Sequence, residues 1–232
     1  MWGCNPSSLL SLRSATNNQI IMVEDLLRYN FNQKYLIWDC ESNALNLITT
    51  LPWQIAFATA KGKNIINEFE RKIWWPSYEI EPEIAMLNHF NRQTYEREAR
   101  DPAEVLGEFE SYLYNPEYIV VTMNGMGFDC FLHNNWRKVL GRKTDYSWMN
   151  RHIDILATFR AIQAGAKSPP RDDLLAWQYC WLNHRDRKVK ASLSAQLKHY
   201  GLEYSASDHH NPVWDINATF QVFWRQIFEL EI

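Results

Sequence analysis

Tyr35-Leu36-Ile37-Trp38 is a short apolar run that ends directly on Asp39-Cys40-Glu41, and this junction constrains the fold more than any other segment. Four large apolar residues of strand-forming type in succession predict a buried β-strand. Side chains alternate across a strand, so Asp39 and Glu41 leave its end on one face while Cys40 turns to the other. Two more acids stand in short downstream motifs: Asp129 in Asn124-Gly125-Met126-Gly127-Phe128-Asp129, and Asp215, five positions after His210. Four acids that converge repel one another unless a cation sits between them, and hard oxygen ligands suit Mg²⁺ or Mn²⁺.

Placing these motifs on elements tells whether they can converge. Gln54–Thr59 predicts a second strand, Lys61-Gly62-Lys63 a turn and Asn64–Phe69 a third strand, so the first half is antiparallel β. Asp101, Pro102 and Glu104 then carry the marks of a helix start, with Val105, Leu106, Phe109, Tyr112 and Leu113 as its apolar stripe. Tyr118–Met123 predicts a buried strand that delivers Asn124, and a helix over Phe128–Leu140 puts Asp129 in its first turn. Further helices are expected over Asp154–Gln163, Asp173–Leu182, from Ser192 to Gly201, and from Pro212 to Leu230, the last with Asp215 near its start. Strands first and helices after, without an internal repeat, imply an α/β or α+β sandwich around one sheet.

At 232 residues, 46% apolar and 22% charged, the chain is of a size and composition for one domain with a full core. Its net charge of -3 does not advertise a broad basic surface, so nucleic-acid contact is expected to be local and metal-assisted. Cys4, Cys40, Cys130 and Cys180 form no Cys-x-x-Cys pair, which argues against a zinc knuckle or disulfide framework and for a reducing cytoplasm. The longest uncharged stretch, Ser42–Ala60, holds Asn, Thr, Pro and Gln and does not read as a membrane span. Residues 1–33 read as an N-terminal arm with a short amphipathic helix over Ile20–Tyr29, and 34–232 as the functional domain. The arm has no continuous apolar block, which argues against a secretory signal; a transit peptide stays open.

In order, the three motifs resemble those of the DEDDh branch of the DnaQ-like 3′-5′ exonuclease superfamily. Each is weak alone; the ordered set is specific, and it runs from about Tyr35 to the C-terminus. Position 211, where the other branch carries tyrosine, is Asn, so His210 places the chain in the histidine branch. The resemblance implies an RNase H-like three-layer α/β sandwich: a mixed five-stranded sheet, its first three strands antiparallel, flanked by helices. It implies Asp39, Glu41, Asp129 and Asp215 as ligands of two divalent ions and His210 as the general base. The chemistry stands on its own terms, since two ions about 3.5–4 Å apart can serve both the attacking and the leaving oxygen. Substrate contacts are implied for Ser42, Asn43, Leu45, Leu87, Asn124 and Phe128. The chain departs from the family at Ser42-Asn43-Ala44, where relatives continue Thr-Thr-Gly, and at Met123, where His is common.

Each residue also has a plainer reading. An Asp-x-Glu pair is more often a solvated strand end, Asn124 a turn residue, Phe128 core, and His209 and His210 exposed side chains. Asp154 reads as a helix N-terminal acid interacting with the helix dipole, where the resemblance implies support of the site, and Arg185-Asp186-Arg187-Lys188-Val189-Lys190 as either a solvated loop or a phosphate contact. Most of the eleven tryptophans belong in the core. The expected activity is 3′-5′ hydrolysis of single-stranded DNA to nucleoside 5′-monophosphates, of proofreading type, with a polymerase as a candidate partner and no membrane. An exoribonuclease of the same fold and a catalytically silent nucleic-acid- or polymerase-binding module are the alternatives.

Overall fold

A computed structural model of the chain describes residues 30–166, 173–203 and 211–230. The helix expected over Ile20–Tyr29 lies outside these residues, as do His209 and His210. Strand β1, Lys34–Ser42, is the centre of the sheet. It pairs antiparallel with β2, Pro52–Lys61, and parallel with β4, Tyr118–Thr122. β3, Asn64–Lys72, extends the antiparallel side, and β5, His152–Asp154, the parallel side, giving the order β3-β2-β1-β4-β5. This is the mixed five-stranded sheet, first three strands antiparallel, that the family resemblance implies.

The run Tyr35–Trp38 is buried on both faces, as its unbroken apolarity requires. Tyr35 and Ile37 meet the long helix Pro212–Leu230; the Tyr35 ring lies 5.7, 5.3 and 5.6 Å from those of Phe220, Phe223 and Trp224. Leu36, Trp38 and Cys40 face the other core with Val105, Leu106 and Phe109 of Pro102–Leu113 and Leu132 and Trp136 of Asp129–Val139. Helices thus cover both faces of the sheet, completing three layers.

In chain order the helices are α1 Pro82–Leu87, α2 Arg92–Glu98, α3 Pro102–Leu113, α4 Asp129–Val139, α5 Ile155–Gln163, α6 Leu174–Asn183, α7 Leu193–His199 and α8 Pro212–Leu230. α3 starts where its cap predicts, with the Asp101 carboxylate accepting from the Ala103 and Glu104 amides at 2.8 and 3.0 Å. Three features depart from expectation. β3 runs on through Glu70-Arg71-Lys72, because the ladder pairs these charged residues with Ala56, Ile55 and Gln54 at an exposed edge. α1 and α2 were not expected, since neither has an apolar stripe and Tyr95 is their one buried residue. β5 is a three-residue strand preceding α5, so Asp154 ends the strand and caps the helix rather than opening it.

Among the described residues no helix is long and apolar enough to cross a membrane.

Candidate active site

β1 outruns its parallel neighbour. Its register with β4 ends at Ile37 opposite Val121, and β4 leaves the sheet after Thr122. The carboxyl end of β1 therefore projects beside a crevice, the place where α/β sheets bind ligands. Asp39 and Glu41 lie on this extension, opposite Ala56 and Gln54 of β2, and the register shifts just after Glu41. As the alternation predicts, Cys40 points into the core with Leu36 and Trp38.

Asp215 arrives from the other layer. α8 presents Asp215, Thr219, Val222, Gln226 and Leu230 as one buried stripe, so the same periodicity that docks the helix on β1 turns this acid toward the sheet. Asn211 sets the phase: its side-chain oxygen accepts from the amides of Val213 and Trp214 at 3.1 and 3.3 Å, and its carbonyl accepts from Asp215 N at 2.9 Å. Oxygens of Asp39, Glu41 and Asp215 all lie within 4.8 Å of one another. His210 immediately precedes the cap.

Asp129 enters at the first turn of α4, 3% exposed, and its Oδ1 accepts from Cys40 N at 3.1 Å. That bond ties it to β1 between Asp39 and Glu41. It is outside the group of three whose oxygens are mutually close, yet it shares their field. Burial first, then the charges of Asp129, Glu41 and Asp215, push Asp39 well above the usual carboxylate range. Burial and the charges of Asp215 and Asp129 raise Glu41 to about 8. Burial raises Asp129 to about 7 against the pull of its backbone hydrogen bonds. Asp39, Glu41 and Asp129 are thus held against their own ionisation, and a hard divalent cation is the partner an all-oxygen set fits.

The other expected contacts lie at the end of β1 and just after it, at the end of α1 and in the turn before α4. Ser42 Oγ donates to Ala44 O at 2.9 Å, and Asn43 bridges Glu79 O and Leu51 N, at 3.0 and 3.3 Å. Leu45 and Leu87 are 75% and 52% exposed. Phe128 is half-buried, packs on the α3–α4 side of the sheet and takes the N-cap position of α4. Asn124 sits in the left-handed region, φ 62°, which Asn tolerates better than most residues.

No protein-family model matches the chain, and no curated protein matches it in sequence. Solved structures do. The zinc-bound complex of E. coli exonuclease I with single-stranded DNA superimposes with a TM-score of 0.66 at 17% identity, over 86% of this chain and 40% of that one. The same enzyme with a dA16 oligonucleotide gives 0.65 at 19% identity (86% and 40%), and with a dT13 oligonucleotide 0.66 at 18% (86% and 42%). The chain has an RNase H-like fold. It spans about 40% of the length of these exonuclease I chains.

In this RNase H-like sheet the loop that delivers Asp129 is gripped from β5. Asp154 accepts from Asn124 N and Met126 N at 3.0 Å each and from Leu156 N at 3.0 Å. Thr122 Oγ1 accepts from Gly125 N at 3.1 Å and lies 2.7 Å from His152 Nε2. Burial lowers His152 to about 3 and keeps its ring neutral, and the ring and the Thr122 hydroxyl share one hydrogen bond whose direction is set by the tautomer. The turn is too tight for side chains: a Cβ on Gly125 would stand 2.2 Å from Thr122 Oγ1, and one on Gly127 2.5 Å from Asn124 Oδ1. Sequence reasoning found Asp154 but missed the Thr122–His152 pair and the Asn211 cap. Asn before Pro212 was the available signal for the cap. Asp154→Ala leaves buried amides unsatisfied and is expected to cost about 2–4 kcal/mol of stability, read by urea unfolding.

Proposed function

We propose that the chain is a metal-dependent 3′-5′ exonuclease acting on single-stranded nucleic acid, with DNA as preferred substrate and nucleoside 5′-monophosphates as products. The observation that carries this reading is the convergence of Asp39, Glu41 and Asp215 at the open end of β1, in a fold shared with E. coli exonuclease I. Asp39, Glu41, Asp129 and Asp215 would hold two divalent ions, Mg²⁺ or Mn²⁺. Bound there, the ions supply positive charge to the phosphodiester and to the oxygens that gain charge on cleavage.

The chain's own residues do the rest. His210, one residue before the α8 cap, would take the proton from the attacking water. The Cys40 amide and the α4 N-terminus orient Asp129. Exposed Leu45 and Leu87 would flank the terminal base, and Asn43 with the turn at Asn124 would shape the groove. DNA is favoured because the exonuclease I structures of like fold hold dA16 and dT13. A proofreading role with a polymerase partner belongs to the same reading.

The test is degradation of matched 5′-labelled single-stranded DNA and RNA oligonucleotides with Mg²⁺, Mn²⁺ or EDTA. A metal-dependent ladder shortening from the 3′ end, faster on DNA, is the expected result. A faster RNA ladder makes the chain an exoribonuclease, and no ladder on either strand overturns the enzyme reading in favour of a silent binding module.

A further inference from the structure

Away from the acids, the C-terminal ends of α5 and α6 enclose a cavity of about 330 Å³ lined by Arg160, Gln163, His184, Arg185, Asp186 and Arg187. Arg160 lies near the end of α5, and its guanidinium donates to Leu182 O of α6. Helix-end carbonyls thus account for one of the three arginines. Asp186 is the one acid in the lining, and its carboxylate accepts from Lys188 N at 2.8 Å to form a turn. Among the described residues none of the three arginines forms an ion pair with a carboxylate. Burial first, and the charge of Arg185 next, hold Arg160 below its ordinary range, as expected for guanidinium groups crowded around a common space.

A second cavity makes the contrast. It too is lined by cations, Arg71, Lys72 and Arg100, but Glu70 and Glu98 stand among them. Lys72 Nζ lies 2.8 Å from Glu98 and 3.6 Å from Glu70, while Arg71 pairs with Glu108 at 2.8 Å. Positive charge there is answered within the protein. At Arg160, Arg185 and Arg187 it is left in excess around a concave space, and the planar fork of each guanidinium matches phosphate oxygens.

We propose that this cavity binds a phosphate group, from a nucleic-acid strand or a free nucleotide, through Arg160, Arg185 and Arg187. The site is on the far end of α5 from Asp154 and uses none of the clustered acids. The full chain in EDTA is titrated at low salt with inorganic phosphate, thymidine 5′-monophosphate and labelled dT16. Arg185→Gln with Arg187→Gln is expected to weaken binding at least about tenfold, and for dT16 to lower the salt slope by about 0.7 per lost contact. Arg97→Gln with Arg100→Gln removes the same charge near the neutralised cavity and is expected to leave binding intact. Loss with dT16 alone identifies a strand phosphate; loss with phosphate or the mononucleotide as well identifies a free one. Equal weakening by both double variants shows only general charge, and no weakening by the first shows no site; either overturns the proposal. Because the titration requires no hydrolysis, its outcome is separate from that of the nuclease assay.

Discussion

Asp39→Ala and Asp215→Ala are each expected to lower hydrolysis of a single-stranded oligonucleotide at least about 10³-fold, while His210→Ala lowers it about 10²–10⁴-fold. The aspartate figure follows from the several kcal/mol of transition-state stabilisation that a catalytic ion supplies, at tenfold per ~1.4 kcal/mol. The histidine figure is the usual worth of a general base. Single-turnover rates on dT16 with saturating Mn²⁺ check both.

The folding cost separates this from a structural explanation. Asp39 sits at the strand end with its charge opposed by three other acids, so removing it relieves repulsion and leaves the core residues Tyr35, Ile37 and Trp38 untouched. Asp215 belongs to the buried stripe of α8, but the helix is docked by Ile216, Phe220, Phe223 and Ile227, which survive the change. Loss of turnover with a melting transition that is not lowered therefore places the two residues in chemistry. Retained turnover in either aspartate variant would show that the cluster is not the catalytic centre.

The parts of the site legible in the sequence are those governed by short-range periodicity. Alternation along Tyr35–Glu41 places Asp39 and Glu41 together, and Pro212 marks the helix start that brings Asp215 to the sheet. Asp129 in the first turn of its helix follows from the apolar pattern of the residues after it. What was not legible depends on pairs remote in the chain. The grip of Asp154 on Asn124 and Met126 spans about thirty residues, as does the Thr122–His152 pair, and no local pattern announces them. β5 was missed for the same reason: three residues alternate too briefly to register, and they form a strand because Val120, Val121 and Thr122 offer an open ladder. α1 buries no side chain and α2 only Tyr95, so they carry little hydrophobic periodicity to read.

Mn²⁺ or Mg²⁺ at a fixed concentration, about 100 times its dissociation constant at pH 8, is expected to raise the melting temperature of the full chain by about 5–10 °C at pH 8 and by less at pH 5. The size follows from ~2.7 kcal/mol of linkage and about 2–4 °C per kcal/mol for a chain of this length. The pH trend follows from the acids. Glu41 and Asp129 titrate near 8 and 7 in the metal-free fold, against ordinary values of 4.5 and 3.8. Below about pH 3 both are protonated whether folded or not. As pH rises toward 8 the unfolded chain gives up these protons first, so the metal-free fold loses stability across that window. A cation favours the ionised forms and returns what was lost. His152, held at about 3 by burial, works in the opposite direction below about pH 6.5, so the informative quantity is the difference with and without metal at each pH. Asp39→Asn removes one repelling charge and one ligand together: it is expected to raise the metal-free melting temperature at pH 8 and to shrink the metal-induced shift. A shift that is absent, or that does not grow with pH, would mean the four acids are not a cation site.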